Sequence, residues 1–365
     1  MVNRDNCTGC GACCNACPAE CISMTENKEG FLHPLINQNN CIDCGRCDAV
    51  CPIEKQWGQL KEEGFTTANY LFINSSEYDR GLSSSGGFVK ALGDLLLEEK
   101  GNAVFGAAFD ENYNIKHIRV DRKDDLYNIL GSKYVQSNTL LTFKEAERIL
   151  ENGYKVLFIG TPCQIEGINN FIDEKYKQNL YTISLFCHGV PSRNAWRQYL
   201  RDYWGDETIR YIQFRYKYTG WWNYGLRIQF LHDDYYSSCR SMSDPYLRMF
   251  LGNISLNGEC YKCEYRKPYR ISGDYYIGDA WNINRIRTNM DDNKGITSVL
   301  CYSKKGEELV LRLKERHTIF DLSEEEILRY RGDFAEKNEP ENRAEFFRLL
   351  SEVGFKTAAE SIENT

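Results

Sequence analysis

Residues 156–191 read VLFIGTPCQIEGINNFIDEKYKQNLYTISLFCHGVP. The run Val156–Ile159 is apolar throughout and breaks at Gly160-Thr161-Pro162-Cys163-Gln164. A second run, Thr182–Phe186, breaks at Cys187-His188-Gly189-Val190-Pro191, and a helical stretch opens at Ser192. Apolar runs without alternation, followed by helices, are strands buried on both faces, so this stretch predicts βα units. Upstream, Ser83-Ser84-Ser85-Gly86-Gly87 precedes Phe88, Leu92, Leu95 and Leu96 at helical spacing, ending at Gly101. Ala103–Phe109 and Ile115–Val120 read as strands, and Lys144–Glu151 as a helix. Residues 208–230 alternate and are rich in aromatics, which fits an antiparallel hairpin or a sheet edge. Mostly charged helix after Ser303 is expected to close the fold. The fold class is α/β, with a mixed, largely parallel sheet.

Composition narrows the function. The chain has 365 residues, 42% apolar and 27% charged, with 45 basic against 52 acidic side chains and a net charge of −7. These are values of a folded globular protein with room for a sizeable core. The mild acidity speaks against nucleic-acid binding, and no run approaches the length of a membrane span. No secretory signal opens the chain, so a cytoplasmic location is expected, where thiols stay reduced. Against that background 16 cysteines stand out, 10 of them within the first 51 residues, and clustered reduced cysteines read as metal ligands.

The cysteines of the head repeat one motif: Cys7-x2-Cys10-x2-Cys13-x3-Cys17-Pro18 and Cys41-x2-Cys44-x2-Cys47-x3-Cys51-Pro52. Three thiolates at this spacing wrap one face of a cubane, and Gly11 and Gly45 ease the close approach of backbone. Pro18 and Pro52 turn the chain away after the fourth cysteine. Zinc tetrads are the alternative, but two intact copies with proline at the same place favour iron–sulfur clusters. The head resembles a bacterial two-cluster ferredoxin, in which the fourth cysteine of each run ligates the other cluster. That resemblance implies one [4Fe–4S] cluster on Cys7, Cys10, Cys13 and Cys51, and another on Cys41, Cys44, Cys47 and Cys17. Cys14 and Cys21 fall outside the pattern and read as packed thiols. The divisions expected are a small α+β two-cluster head over 1–58, a linker and lead-in over 59–79, a body over 80–320 and a helical tail over 321–365. Within these, 55–70 reads as polar and irregular.

In the body, Cys163 and Cys187 each follow a buried strand, at the carboxyl edge where open α/β sheets bind ligands. With Cys260 and Cys263 of a CxxC they make a tetrad, enough for a third [4Fe–4S] cluster; buried apolar packing of free thiols is the other reading. Six phrases then occur in order: SSSGGF, GSKYVQSN, FIGTPCQIEG, FCHGVPS, CYKCEYRKP and GDYYIGDAWN. Together they resemble the coenzyme F420 hydrogenase/dehydrogenase beta-subunit family, over roughly residues 80–285. The resemblance implies bound FAD and a [4Fe–4S] cluster close to it, which favours the tetrad.

For a flavin the motifs make chemical sense. Ser83, Ser84, Ser85, Gly86 and Gly87 open a helix and would offer backbone N–H groups to a pyrophosphate. Lys133 would offset phosphate charge or stabilise the reduced flavin, and Tyr134, Gln136, Ser137 and Asn138 would hydrogen-bond the ring or ribityl chain. Thr161, Gln164 and His188 flank the tetrad and would tune it or pass protons. Asp279 and Trp281 would line the flavin or substrate face, with Lys133, His188 and Asp279 as the candidate catalytic groups. Arg215, Arg227 and Arg266 are candidates for an anionic substrate, each more simply read as a solvated arginine. The expected function is an oxidoreductase in which ferredoxin, or another low-potential carrier, passes single electrons through the clusters to FAD for two-electron reduction of an organic substrate. The alternative is oxidation of F420H2 or NAD(P)H by an electron-transfer subunit serving a separate catalytic partner. A homo-oligomer is compatible with either.

Overall fold

The computed structural model describes residues 6–53, 66–266, 273–323, 325–326 and 338–364. Its strands, in chain order, are β1 (Ile22–Glu26), β2 (Leu32–Ile36), β3 (Ala68–Ile73), β4 (Ala103–Phe109), β5 (Ile115–Val120), β6 (Val156–Gly160), β7 (Leu180–Leu185), β8 (Ile209–Tyr216), β9 (Gly225–Phe230), β10 (Tyr235–Ser237), β11 (Tyr275–Asp279), β12 (Thr297–Cys301) and β13 (Thr318–Asp321). Eight of them form one sheet in the order β13-β3-β12-β11-β7-β6-β4-β5.

The apolar runs do become buried strands. All five residues of β6 are buried, as are the first five of β7, and the two pair in parallel with Gly160 opposite Ser184. Parallel pairing holds for β11–β7, β7–β6 and β6–β4, while β4–β5, β11–β12, β12–β3 and β3–β13 are antiparallel. The sheet is therefore mixed, with a parallel centre and antiparallel flanks, rather than largely parallel. Phe72, Phe88, Leu92, Leu157, Ile183 and Tyr275 fill the core between this sheet and the helix Phe88–Leu96. The 208–230 segment is the hairpin of the two alternatives, β8 with β9, extended by β10 into a separate small sheet.

Two boundaries differ from the sequence reading. Ala68–Ile73, expected within linker and lead-in, is a strand with four consecutive buried residues, hydrogen-bonded between β12 and β13. The expected tail contributes core: Phe346, Phe355, Ala358 and Ala359 pack with Trp196, Tyr199 and Tyr246. The part of the expected linker at residues 54–65 lies outside the described residues.

The head is docked on the body along a polar and apolar seam. Gln136 accepts from the Leu32 amide at 2.7 Å and donates to the Thr8 carbonyl at 3.3 Å. Asn15 donates to the Leu140 carbonyl at 2.8 Å and accepts from the Lys144 amide at 3.2 Å. Phe31 is buried edge-on to Phe347 at 5.8 Å, and Arg343, buried, pairs with Glu29 at 2.5 Å while donating to the Leu256 carbonyl. Glu29 is partly exposed, so the pair lies between the surface and buried limits. Glu29→Ala should lower the unfolding free energy by about 2 kcal/mol, read by chemical denaturation. Wild-type stability in that variant would mean that the seam does not depend on the pair.

Candidate functional site

Strand order sets the site. Adjacent strands β6, β7 and β11 end side by side, and their carboxyl ends carry Thr161, Cys187 with His188, and Asp279 with Trp281. These residues line one cavity of about 350 Å³, within the range of ligand pockets. Ser83, Ser84, Ser85 and Gly87 enter its wall from the loop before the helix Phe88–Leu96, and Lys133, Tyr134 and Ser137 from the loop after β5.

Most of the predicted flavin contacts thus meet in one place. The serine hydroxyls, however, are engaged within the protein: Ser83 donates to the Asp79 carbonyl, Ser84 pairs with Ser132 at 2.8 Å, and Ser85 donates to the Ile296 carbonyl. What this turn can offer a ligand is backbone N–H at the helix start, where Gly87 has the left-handed backbone that glycine favours. Lys217, after β8, braces the turn from behind through the carbonyls of Arg80 and Ser85 at 2.7 and 3.2 Å.

Thr161 and Gln164 form a capping box on the helix Pro162–Phe171, and Gln164 also donates to the Ser137 hydroxyl at 3.0 Å. The box orients the helix start on which Cys163 sits, and the Thr161 hydroxyl lies 3.3 Å from the Cys163 sulfur. Lys133 donates to the Leu130 and Gly131 carbonyls, and burial pushes its ammonium down to about 7. Tyr134 stacks on Phe250 at 4.6 Å, and the His188 ring meets the same Phe250 edge-on at 4.8 Å.

Three predicted contacts stand away from the cavity wall. The Gln136 side chain is spent on the head, as described above. Asn138 caps its own loop, accepting from the Leu140 amide at 2.9 Å, and its backbone pairs with that of His117 and Ile115. Gly86 is buried against the Phe72 carbonyl and the Thr297 amide. Asp279 does line the cavity, but both its oxygens are occupied, by Arg215 at 2.5 Å and by the Trp221 indole N–H at 2.9 Å. It holds neighbours in place rather than standing open to donate a proton.

Residues the sequence reading missed also reach the wall. Tyr224 and Phe250 do, as does buried His117, whose imidazole meets the Ile159 carbonyl at 3.0 Å and is pushed down to about 4 by burial. None belongs to a local motif, so alternation in a strand or an aromatic run was the only signal available.

Several of the predicted cysteines lie within electrostatic reach of one another. Burial pushes the thiols of Cys7, Cys10 and Cys13 upward, and neighbouring sulfurs add to this: Cys51 acts on Cys7 and Cys13, and Cys163 on Cys7 and Cys10. Cys260 is raised by burial and then by Cys187, Cys263 and Cys163. Cys17, Cys41, Cys44 and Cys47 line a second cavity of about 160 Å³ with Cys21, whose sulfur is 3.4 Å from that of Cys17. Gly11 and Gly45 both adopt left-handed backbone at the starts of the short helices Ala12–Ala16 and Arg46–Val50; a side chain on Gly11 would also strike Thr139 of the body. Among the described residues no three His, Cys, Asp or Glu side chains close on a single point as around one ion. Thiolates of a cubane sit on separate irons, and the all-sulfur set of Cys17, Cys41, Cys44 and Cys47 around its cavity fits such a cluster by the chemistry of its donors.

Residues 153–325 match the family described as the C terminus of the coenzyme F420 hydrogenase/dehydrogenase beta subunit, and residues 6–55 match the 4Fe-4S dicluster domain. No curated protein matches the chain. A solved structure similar in fold is a chain from the F420-reducing [NiFe] hydrogenase complex of Methanosarcina barkeri, at 15% identity and a TM-score of 0.50, covering 84% of this chain and 95% of that one. No helix among the described residues is long and apolar enough to cross a membrane.

Proposed function

Because the chain belongs, through residues 153–325, to the coenzyme F420 hydrogenase/dehydrogenase beta-subunit family and carries a 4Fe-4S dicluster domain ahead of it, we propose that it is an iron–sulfur flavoprotein oxidoreductase. The observation that carries this reading is the shared wall: Cys187 of the body tetrad lines the same cavity as the serine–glycine turn, Lys133 and His188. A cluster on Cys163, Cys187, Cys260 and Cys263 would therefore border the space assigned to FAD. Bound there, FAD would supply the change between one-electron and two-electron chemistry.

The protein's own residues have separable tasks. The helix start after Gly87 would bind phosphate through backbone N–H, and Lys133 would add positive charge inside the cavity. Tyr134, Phe250 and Trp281 would bound the ring and exclude water, and His188 would hold or pass a proton. The head would load the body through the Cys7, Cys10, Cys13 and Cys51 set, of which the Cys7 and Cys10 thiols lie within electrostatic reach of Cys163. The Cys17, Cys41, Cys44 and Cys47 set, with exposed Cys44 and Ile42, would meet the external carrier.

Direction is decided by rapid mixing. Reduced ferredoxin should bleach the flavin of the anaerobic full-length protein. Bleaching by F420H2 or NAD(P)H alone would reverse the direction proposed, and a denatured supernatant free of FAD would remove the flavin from the reading.

Lys133 gives this reading a pH signature. Its charge is present below about 7 and lost above it, though a bound anion will move that midpoint upward. Above the midpoint the FAD dissociation constant should rise by up to about tenfold per pH unit, and Lys133→Met should flatten the slope. Flavin fluorescence titrations across neutral and alkaline pH measure it; equal slopes for both proteins would take Lys133 out of cofactor binding.

A further inference from the structure

Arg215 lies on β8 of the small sheet, yet its side chain reaches the cavity and is 5% exposed. Nη1 is taken by Asp279 at 2.5 Å. Nε and Nη2 are buried and have no hydrogen-bond partner among the described residues. The guanidinium lies over the Tyr224 ring at 4.2 Å and near Trp281 at 5.2 Å. Trp281 is itself stacked on Trp221 at 4.2 Å with the rings 15° apart, and Trp221 holds the other oxygen of Asp279. An ion pair and two aromatic faces thus fix this cation in position.

An arginine cannot shed its charge, and buried N–H groups without acceptors are costly enough to be rare. Nε and Nη2 share one edge of the planar group, and that edge matches two coplanar oxygens bidentately. Asp279 neutralises only one positive charge, and Lys133 adds another to the same wall, so the cavity favours an anion.

We propose that the Nε–Nη2 edge of Arg215 is the seat of a carboxylate on the organic substrate, whose flat skeleton would lie along Trp281. This rests on reading the cavity as a redox site, and the two can fail separately. A flavin also has adjacent acceptor atoms on one ring edge, so the test must tell substrate from cofactor.

The probes are benzoate and its neutral isostere benzamide, titrated against the full-length protein with tryptophan fluorescence as the readout. Titrations are run on the protein as isolated and after removal of any flavin. In the flavin-free protein, benzoate should bind at least tenfold more tightly than benzamide, and Arg215→Gln should abolish the difference. Equal binding of both probes by the wild type, or a benzoate preference that survives Arg215→Gln, would overturn the proposal. Should Arg215→Gln not fold, Arg215→Lys decides: it keeps the charge but not the fork, so wild-type benzoate binding by that variant would also overturn it. Loss of FAD from Arg215→Gln with the benzoate preference retained would assign the edge to the flavin instead. Absence of FAD from the wild type would sink the redox reading, while the benzoate comparison still decides this one.

Discussion

Protein purified without oxygen is expected to contain about twelve iron atoms per chain, and Cys260→Ala about eight, since a cluster of this type holds four irons and takes four cysteine thiolates. Cys260 is the most committed member of the body tetrad. It is half-buried, accepts from the Val190 amide at 3.4 Å, and its thiol is raised by desolvation and then by three other cysteines. The Cys260→Ala protein should keep its FAD, because the serine–glycine turn comes from a different part of the fold, ahead of the helix Phe88–Leu96. Flavin bleaching by reduced ferredoxin should slow by orders of magnitude, while a small chemical reductant still bleaches it. Iron analysis and rapid-mixing traces on the same samples check both halves. About twelve irons in the variant, or eight in the wild type, would end the third-cluster assignment.

The second large effect is expected at Gly86. A Cβ there would stand 2.2 Å from the Phe72 carbonyl oxygen and 2.6 Å from the Thr297 amide nitrogen, both backbone atoms that cannot swing aside. Gly86→Ala must therefore push the turn away from β3 and β12 and break the bond from the Gly86 amide to the Thr297 hydroxyl at 2.8 Å. The cost should be on the order of 3 kcal/mol, at the upper end of overpacking effects. FAD occupancy should fall with it, since the same turn opens the helix assigned to phosphate. Gly81→Ala, in the helix Glu77–Leu82 with nothing near its added methyl, serves as the control and should be neutral or slightly stabilising. Calorimetry and flavin content together read the result. An occupied, stable Gly86→Ala protein would mean that the turn is slack and takes no part in cofactor binding.

What the sequence disclosed depended on whether the cause was local. Strands β6 and β7 are legible because burial on both faces forces an unbroken apolar run. The metal spacing is legible because three ligands on one turn need no distant partner. β3 reads as lead-in because its neighbours, β12 and β13, lie more than two hundred positions away, and nothing in Ala68–Ile73 points to them. Gln136 sits inside a phrase most of which lines the cavity, yet faces the head; a one-residue alternation of direction decides that, and the sequence does not record it. Arg215 reads as solvated because the groups that bury it, Asp279, Tyr224 and Trp281, come from other elements.

The placement of β3 bears on how the chain is made. As the chain leaves the ribosome, the head emerges before the body, with all its cluster cysteines between residues 7 and 51, so iron–sulfur delivery there can begin while most of the body is unmade. β3 follows at once, yet its backbone has no strand to pair with until Thr297–Cys301 is synthesised. Through that interval an apolar strand with two open edges must be shielded, because such edges template aggregation. Later still comes Arg343, the residue that locks Glu29 of the head. Synthesis of the segment that bears Arg343 is thus also the step that can clamp the head onto the body, and a chain stalled short of it would leave the head without that brace.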